Sequence, residues 1–196
     1  MGSRWIFAPS RRQIPATAPS TRNVGTDWGI FVLKILGRCS SGRIAARRAW
    51  TSSVASQVGR KRTGATSFVT VGFCFGGSQS FLAAMSPELM LDGVVGFYGR
   101  LAGGRFGMPP VLDQVGEIRC PVLGLFGGAD EGIPTSDVDT FDRLLDEHDV
   151  EHDIVIYPDA PHSFFDRRYE EHAGACSDAW RRVISFLEKV GAAWAA

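Results

Sequence analysis

A cysteine set among glycines, in Gly72-Phe73-Cys74-Phe75-Gly76-Gly77, is the stretch of this chain whose residue types point most directly to chemistry. The Gly-x-Cys-x-Gly spacing is the thiol form of a nucleophile elbow, a sharp strand-to-helix turn that lifts its nucleophile above a sheet edge. Glycine at 72 and 76 suits such a turn, because side chains there would crowd the neighbouring backbone. A free thiol titrates near about 8.5 and is mostly protonated at neutral pH, so the reaction needs a partner base. His162, in Pro158-Asp159-Ala160-Pro161-His162-Ser163-Phe164, is the candidate base. Asp130, in Gly127-Gly128-Ala129-Asp130-Glu131, is the candidate that would fix the imidazole tautomer and offset its charge. Attack on an acyl carbon makes an oxyanion, to which the backbone N–H of Phe75 at the start of the helix can donate. Each residue also has a plainer reading: a buried structural cysteine, a turn aspartate, a loop histidine held by a carbonyl. Asp159 and Glu131 are rival acids, ranked lower because one precedes the histidine turn and the other starts the next helix.

The elements that must position these groups follow from periodicity. Strand-like apolar runs at residues 68–72, 93–98, 121–126 and 153–157 alternate with helix-like segments at 76–85, 134–148 and 169–190. Near-continuous apolar strands alternating with helices predict a parallel α/β sheet with flanking helices. In the last helix Ala179, Val183, Phe186, Leu187 and Val190 recur at spacings of three and four, leaving Asp178, Arg181, Arg182 and Glu188 for water. Cys74, Asp130 and His162 then all fall at carboxyl ends of strands, the edge that borders the ligand crevice in open α/β sheets. Their chain order, nucleophile, acid, histidine, is that of an α/β-hydrolase. His148, His152 and His172 sit among acidic residues and read as solvated surface groups.

Residues 1–66 have a different composition. They carry ten Arg and two Lys against the single acid Asp27, whereas residues 67–196 carry an equal and opposite net charge, so the 21 basic and 21 acidic residues of the whole chain cancel. An Arg- and Ser-rich, acid-poor amino-terminus fits an organellar transit segment, a shifted reading frame, a misplaced start or a basic tail. No aromatic interleaving or binding motif supports a nucleic-acid role. Within this region only residues 28–36 are apolar enough for an element, which could be a strand or a short helix. The chain therefore divides into an irregular segment, 1–66, and an α/β domain, 67–196. Four cysteines without Cys-x-x-Cys spacing, and only four histidines, indicate neither a zinc site nor a disulfide framework, and a reducing, cytoplasmic setting fits best. No apolar run approaches the roughly 18 residues of a membrane span.

The elbow, Gly127-Gly128-Ala129-Asp130 and Ala160-Pro161-His162-Ser163-Phe164-Phe165-Asp166, followed by Ser177-Asp178-Ala179-Trp180, together resemble the dienelactone hydrolase family over about residues 67–190. The resemblance implies an α/β-hydrolase fold, a Cys-Asp-His triad at Cys74, Asp130 and His162, and hydrolysis of a small-molecule ester or lactone without metal or cofactor. The type activity opens a dienelactone to maleylacetate. Phe75 stands as the oxyanion donor, and Phe164 and Arg167 as substrate-contacting positions. Two departures qualify this. The arginine that helps bind the substrate carboxylate, four residues after the triad histidine, is here Asp166, with Arg167 and Arg168 next. Residues 1–66 also show none of the family's amino-terminal strands, the loop giving the second oxyanion donor, or the acid that holds the resting cysteine. If no replacement strand exists, the elbow strand becomes an edge that invites self-association. The alternative reading is then a catalytically impaired relative acting as an association module; a basic-tailed binding protein is a third.

Overall fold

Strands buried on both faces must be apolar at every position, and that is how the central runs of this chain read. The computed structural model describes residues 30–36, 67–104 and 107–192. Five strands form one sheet: β1 (Ile30–Leu36), β2 (Ser67–Phe73), β3 (Gly93–Phe97), β4 (Val122–Gly127) and β5 (His152–Tyr157). They lie side by side in chain order and all pair in parallel. β3 and β4 are buried along their whole lengths and β2 along all but its last residue, whereas β5, at the sheet's edge, is mostly half-buried. Parallel neighbours need crossovers, and three helices are described: α1 (Phe75–Ala83), α2 (Thr135–Glu147) and α3 (Ala173–Ala192).

The segment that sequence left open between strand and helix is β1, in register with β2 from Ile30 opposite Ser67 to Leu36 opposite Phe73. Its run of Ile, Phe, Val and Leu favours a pleated conformation. The elbow strand is therefore an interior strand, and the exposed edge expected at residues 68–72 is not formed. The remainder of residues 1–66 lies outside the described residues. The last helix starts at Ala173, because residues 162–172 are spent on turns that carry the histidine loop back over the sheet.

The helices cover both faces. A Cβ on Gly96 would meet the Phe81 ring at 2.2 Å, so α1 packs directly on β3, while a Cβ on Gly93 would meet the Phe186 ring at 2.8 Å, placing α3 on the opposite face. Phe81 is fully buried and packs against Phe126 of β4 and Phe141 of α2, with ring centroids 6.2 and 5.1 Å away. One buried polar pair ties β2 to α1: the Thr70 and Ser80 hydroxyls lie 2.5 Å apart and satisfy each other. On α3, Ala179, Val183, Leu187 and Val190 form the buried stripe, joined by Cys176. Asp178, expected to face water, instead accepts the Tyr157 hydroxyl at 3.0 Å and the Arg182 guanidinium at 2.8 Å, fastening α3 to β5. His152 is similarly held, its Nε2 3.1 Å from Asp142 Oδ1 and its Nδ1 2.6 Å from the Val150 carbonyl, rather than freely solvated.

Because Phe81 joins α1, α2 and the sheet at one point, Phe81→Ala should cost about 3–5 kcal/mol of stability, seen as a fall in the urea midpoint. A loss below about 1 kcal/mol would contradict this packing.

Candidate active site

The candidate nucleophile stands where β2 turns into α1. Cys74 has φ 56° and ψ −120°, a conformation that non-glycine residues adopt only when their surroundings enforce it. The enforcement is visible in the backbone. The Cys74 N–H donates to the Phe97 carbonyl of β3 at 3.0 Å, and the Cys74 carbonyl accepts the N–H groups of Gly77 and Ser78 at 2.9 and 3.3 Å, opening α1. The turn is so tight that a Cβ on Gly72 would lie 1.9 Å from the Gly76 carbonyl oxygen. Beneath it Phe73 stacks on Phe97 at 4.6 Å and on Phe165 at 5.8 Å, giving the elbow an aromatic base.

Asp130 and His162 reach the same point from the ends of β4 and β5. Asp130 is 6% exposed. Its Oδ1 accepts the Gly132 N–H at 2.9 Å, which orients the carboxylate, and its Oδ2 accepts His162 Nδ1–H at 2.6 Å. On its other side the imidazole places Nε2 3.1 Å from the Cys74 Sγ. The rivals Glu131 and Asp159 are exposed at the cleft rim, and the Nδ1 position is occupied by Asp130. Strand ends separated in sequence thus meet at one imidazole.

The electrostatics follow the geometry. The hydrogen bond from His162 is the main cause that lowers the Cys74 pKa below the ordinary thiol range; partial burial opposes it, and the His162 charge and the Phe75 N–H add to it. His162 is pushed up to about 9, first by the Asp130 hydrogen bond and then by Cys74, against the opposing effect of burial. Both shifts move the proton from sulfur to nitrogen, toward a thiolate–imidazolium pair. The buried thiols Cys120 and Cys176 shift the other way, up to about 12 and about 11, because desolvation disfavours their thiolates.

Cys74, Phe75 and His162 open onto a cleft of about 1060 Å³. Leu101, Met108, Pro109 and Val111 give it an apolar wall, and Arg100, Glu131, Arg168 and Glu171 bring charge to it. Phe75 borders the cleft as expected. Phe164 does not: it is fully buried between the rings of Tyr98 and Tyr157, at 5.6 and 5.3 Å, and its carbonyl accepts the Cys176 thiol. It is a core residue, and the substrate-contact expectation is corrected. Arg167 is exposed and does not border the cleft. Arg168 does, but its guanidinium is held by Glu171 at 2.6–2.9 Å. Within residues 1–66 the apolar stretch around residues 25–37 is the candidate source of a second oxyanion donor, and of it residues 30–36 are described, as β1. Tyr98 and Arg100, which also border the cleft, were not singled out by motif, although the strand-end rule that marks Asp130 applies equally to the residues after β3.

The dienelactone hydrolase family's sequence model matches residues 34–191. An Escherichia coli (strain K12) protein named "Putative carboxymethylenebutenolidase" is 34% identical over 142 residues, covering 70% of this chain and 52% of that protein. A Saccharolobus solfataricus protein of the same name is 36% identical over 128 residues, 65% of this chain and 46% of its own. The chain therefore spans about half the length of the curated relatives it matches. Among solved structures, a "Putative Dienelactone Hydrolase" from Klebsiella pneumoniae superposes with a TM-score of 0.66 at 29% identity, over 73% of this chain and 61% of that one. An esterase from Thermogutta terrifontis, solved with propionate bound, shares the fold with a TM-score of 0.64 at 16% identity, over 78% of this chain and 67% of that one.

Because its pKa is lowered and its side chain exposed, Cys74 should react with iodoacetamide at neutral pH faster than Cys120 or Cys176. Its rate should titrate below the usual thiol range, since thiolate accumulates at lower pH when the pKa falls. His162→Ala should return the titration toward about 8.5 and slow alkylation at pH 7 by roughly tenfold. Peptide mapping with equal labelling of Cys74, Cys120 and Cys176 would contradict the assignment.

Proposed function

The chain belongs to the dienelactone hydrolase family, and from that premise we propose that it hydrolyses ester or lactone bonds with Cys74 as nucleophile, His162 as proton carrier and Asp130 as its orienting partner. The observation that carries the proposal is the imidazole hydrogen-bonded to Asp130 at 2.6 Å and set 3.1 Å from the Cys74 sulfur. The Cys74 thiolate attacks the acyl carbon and the carbonyl electrons move onto oxygen, where the Phe75 N–H stabilises them. As that oxyanion collapses the C–O bond breaks, and the alkoxide takes the proton from His162 Nε2. A water then attacks the thioester while Nε2 accepts its proton, the carboxylic acid leaves, and the thiolate is restored. Asp130 keeps Nδ1 protonated throughout, so that Nε2 is always the face presented to the reacting atoms.

On its histidine side the cleft favours neutral substrates, and Arg100 is a further cation on its wall. Position 166, four residues beyond His162, carries an aspartate, and its negative charge opposes the lowering of the Cys74 pKa, so it is felt at the sulfur. Arg167 is not part of the cleft wall, and Arg168 is paired with Glu171. Asp166 does not border the cleft either, but its field at the sulfur would oppose a carboxylated lactone, to which a guanidinium at this position could have given a charge-assisted contact. Uncharged short-chain esters and lactones fit better.

A second reading, a catalytically impaired relative acting as an association module, draws support from one observation: the backbone oxyanion donor identified among the described residues is Phe75 alone. The two readings diverge in turnover. Hydrolysis of p-nitrophenyl acetate should fall by at least about 10³-fold in Cys74→Ala, whereas the impaired module would show no difference between the two proteins. The rate should follow a bell in pH. It should rise through the lowered Cys74 pKa as the thiolate forms, and fall near 9 as His162 loses the proton that the leaving group needs. Asp166→Arg should raise the preference for an anionic over a neutral ester by about tenfold or more. An unmodified protein that already prefers carboxylated lactones would refute the neutral-substrate reading.

A further inference from the structure

Tyr98 is the first residue beyond β3. Since Phe97 pairs with Phe73 across the sheet, Tyr98 lies beside Cys74, and both residues carry positive φ, 37° and 56°. A positive φ in a bulky aromatic residue is a strained conformation that persists only when the surroundings impose it. The side chain is fully buried, yet it forms part of the same cleft wall as Cys74 and His162. Its ring meets the His162 ring edge-on at 5.1 Å and the Phe164 ring at 5.6 Å. Its hydroxyl is the buried side-chain polar atom without a hydrogen-bond partner among the described residues. Tyr157 shows the usual arrangement, with its hydroxyl donating to Asp178.

The groups whose fields reach that hydroxyl are Asp166, Cys74, Cys176 and Arg167. None serves it in the resting structure. Asp166 accepts the Arg167 N–H through Oδ1 and the Cys176 thiol donates to the Phe164 carbonyl, neither forms a hydrogen bond with the Tyr98 hydroxyl, and an arginine side chain cannot accept. His162 is no alternative, because Asp130 and Cys74 occupy its two nitrogens. Burial, together with the negative character of Asp166 and Cys74, holds the phenol protonated. A neutral phenol whose ring lies edge-on to His162 and whose residue borders the same cleft as Cys74 therefore has an unused hydrogen bond. Phenylalanine would fill the same space without an orphaned hydroxyl, so packing alone does not account for the residue.

We propose that the Tyr98 hydroxyl is a catalytic hydrogen-bond donor to the carbonyl oxygen of the reacting ester, acting with the Phe75 N–H on the charge that develops there as Cys74 attacks. This rests on the hydrolase reading above, and it supplies a second donor from a side chain next to the elbow. The donation is strongest in the transition state, where the oxygen gains negative charge, and no bond to Tyr98 forms or breaks.

The test compares the unmodified protein, Tyr98→Phe and Cys74→Ala in three measurements: thermal midpoint, the pH profile of Cys74 alkylation by iodoacetamide, and the p-nitrophenolate burst with p-nitrophenyl acetate. Tyr98→Phe should melt at the same or a higher temperature, since it removes an unpaired buried hydroxyl. It should keep the alkylation profile, which needs no oxyanion donor, and slow the acylation burst about 10- to 100-fold. An unchanged burst overturns the assignment and leaves the hydrolase reading standing. A burst slowed only in step with an upward shift of the alkylation profile also overturns it, because Tyr98 would then act through the sulfur. A burst that persists in Cys74→Ala, or is absent from the unmodified protein, overturns the hydrolase reading and the Tyr98 role with it.

Discussion

One imidazole holds the site together. His162 gives a 2.6 Å hydrogen bond to a carboxylate at the end of β4 and faces a sulfur at the end of β2 across 3.1 Å. That bridge sets the requirement for the rest of the architecture, since ends of non-adjacent strands must arrive at the same edge of the sheet in a fixed register. A parallel sheet meets the requirement naturally, because every strand delivers its carboxyl end to the same side. The buried apolar strands and the two helix layers can be understood as the scaffold that keeps this edge in place.

Strain is concentrated at that edge and is held there by the backbone. Cys74 is kept at positive φ by its hydrogen bond to Phe97 and by the two N–H groups that its carbonyl accepts, and the turn leaves no room for a side chain at Gly72. Tyr98, next along the same edge, shares the positive φ. Strain costs stability, and it persists where the structure overdetermines the conformation. Here the rings of Phe73, Phe97 and Phe165 pack against one another, with Phe73 adjoining Cys74 and Phe97 adjoining Tyr98 in the chain, so the strained residues border an aromatic cluster.

Charge in the cleft is arranged asymmetrically. Beside His162, Asp130 is buried and committed to the imidazole, whose hydrogen bond in turn lowers the Cys74 pKa. At the rim, Arg168 is neutralised by Glu171, while Asp166 adds negative character close to the sulfur. The histidine side of the cleft therefore offers a negative charge little compensation among the described residues. The apolar wall of Leu101, Met108, Pro109 and Val111 offers contact area to an uncharged acyl or alkyl group instead.

Much of this was legible in the linear order of residues. The alternation of apolar runs with amphipathic segments determined a parallel α/β sheet, and the rule that ligands meet strand carboxyl ends singled out Cys74, Asp130 and His162 before any distance was known. These signals are local: periodicity reports which face of an element is buried, and glycine spacing reports a tight turn. The turns and the long-range pairings carry no such periodicity, and there only the tertiary structure decided. It made residues 30–36 a strand by pairing them with β2, which an arginine-rich context had obscured. It turned Phe164 into the core and Arg167 away from the cleft, although both adjoin the histidine motif, because an irregular loop has no repeating face from which direction can be read. It also left Tyr98, which borders the same cleft as Cys74, with a buried hydroxyl that has no hydrogen-bond partner among the described residues. Whether a polar group finds a partner depends on residues distant in the chain, and only folding brings those together.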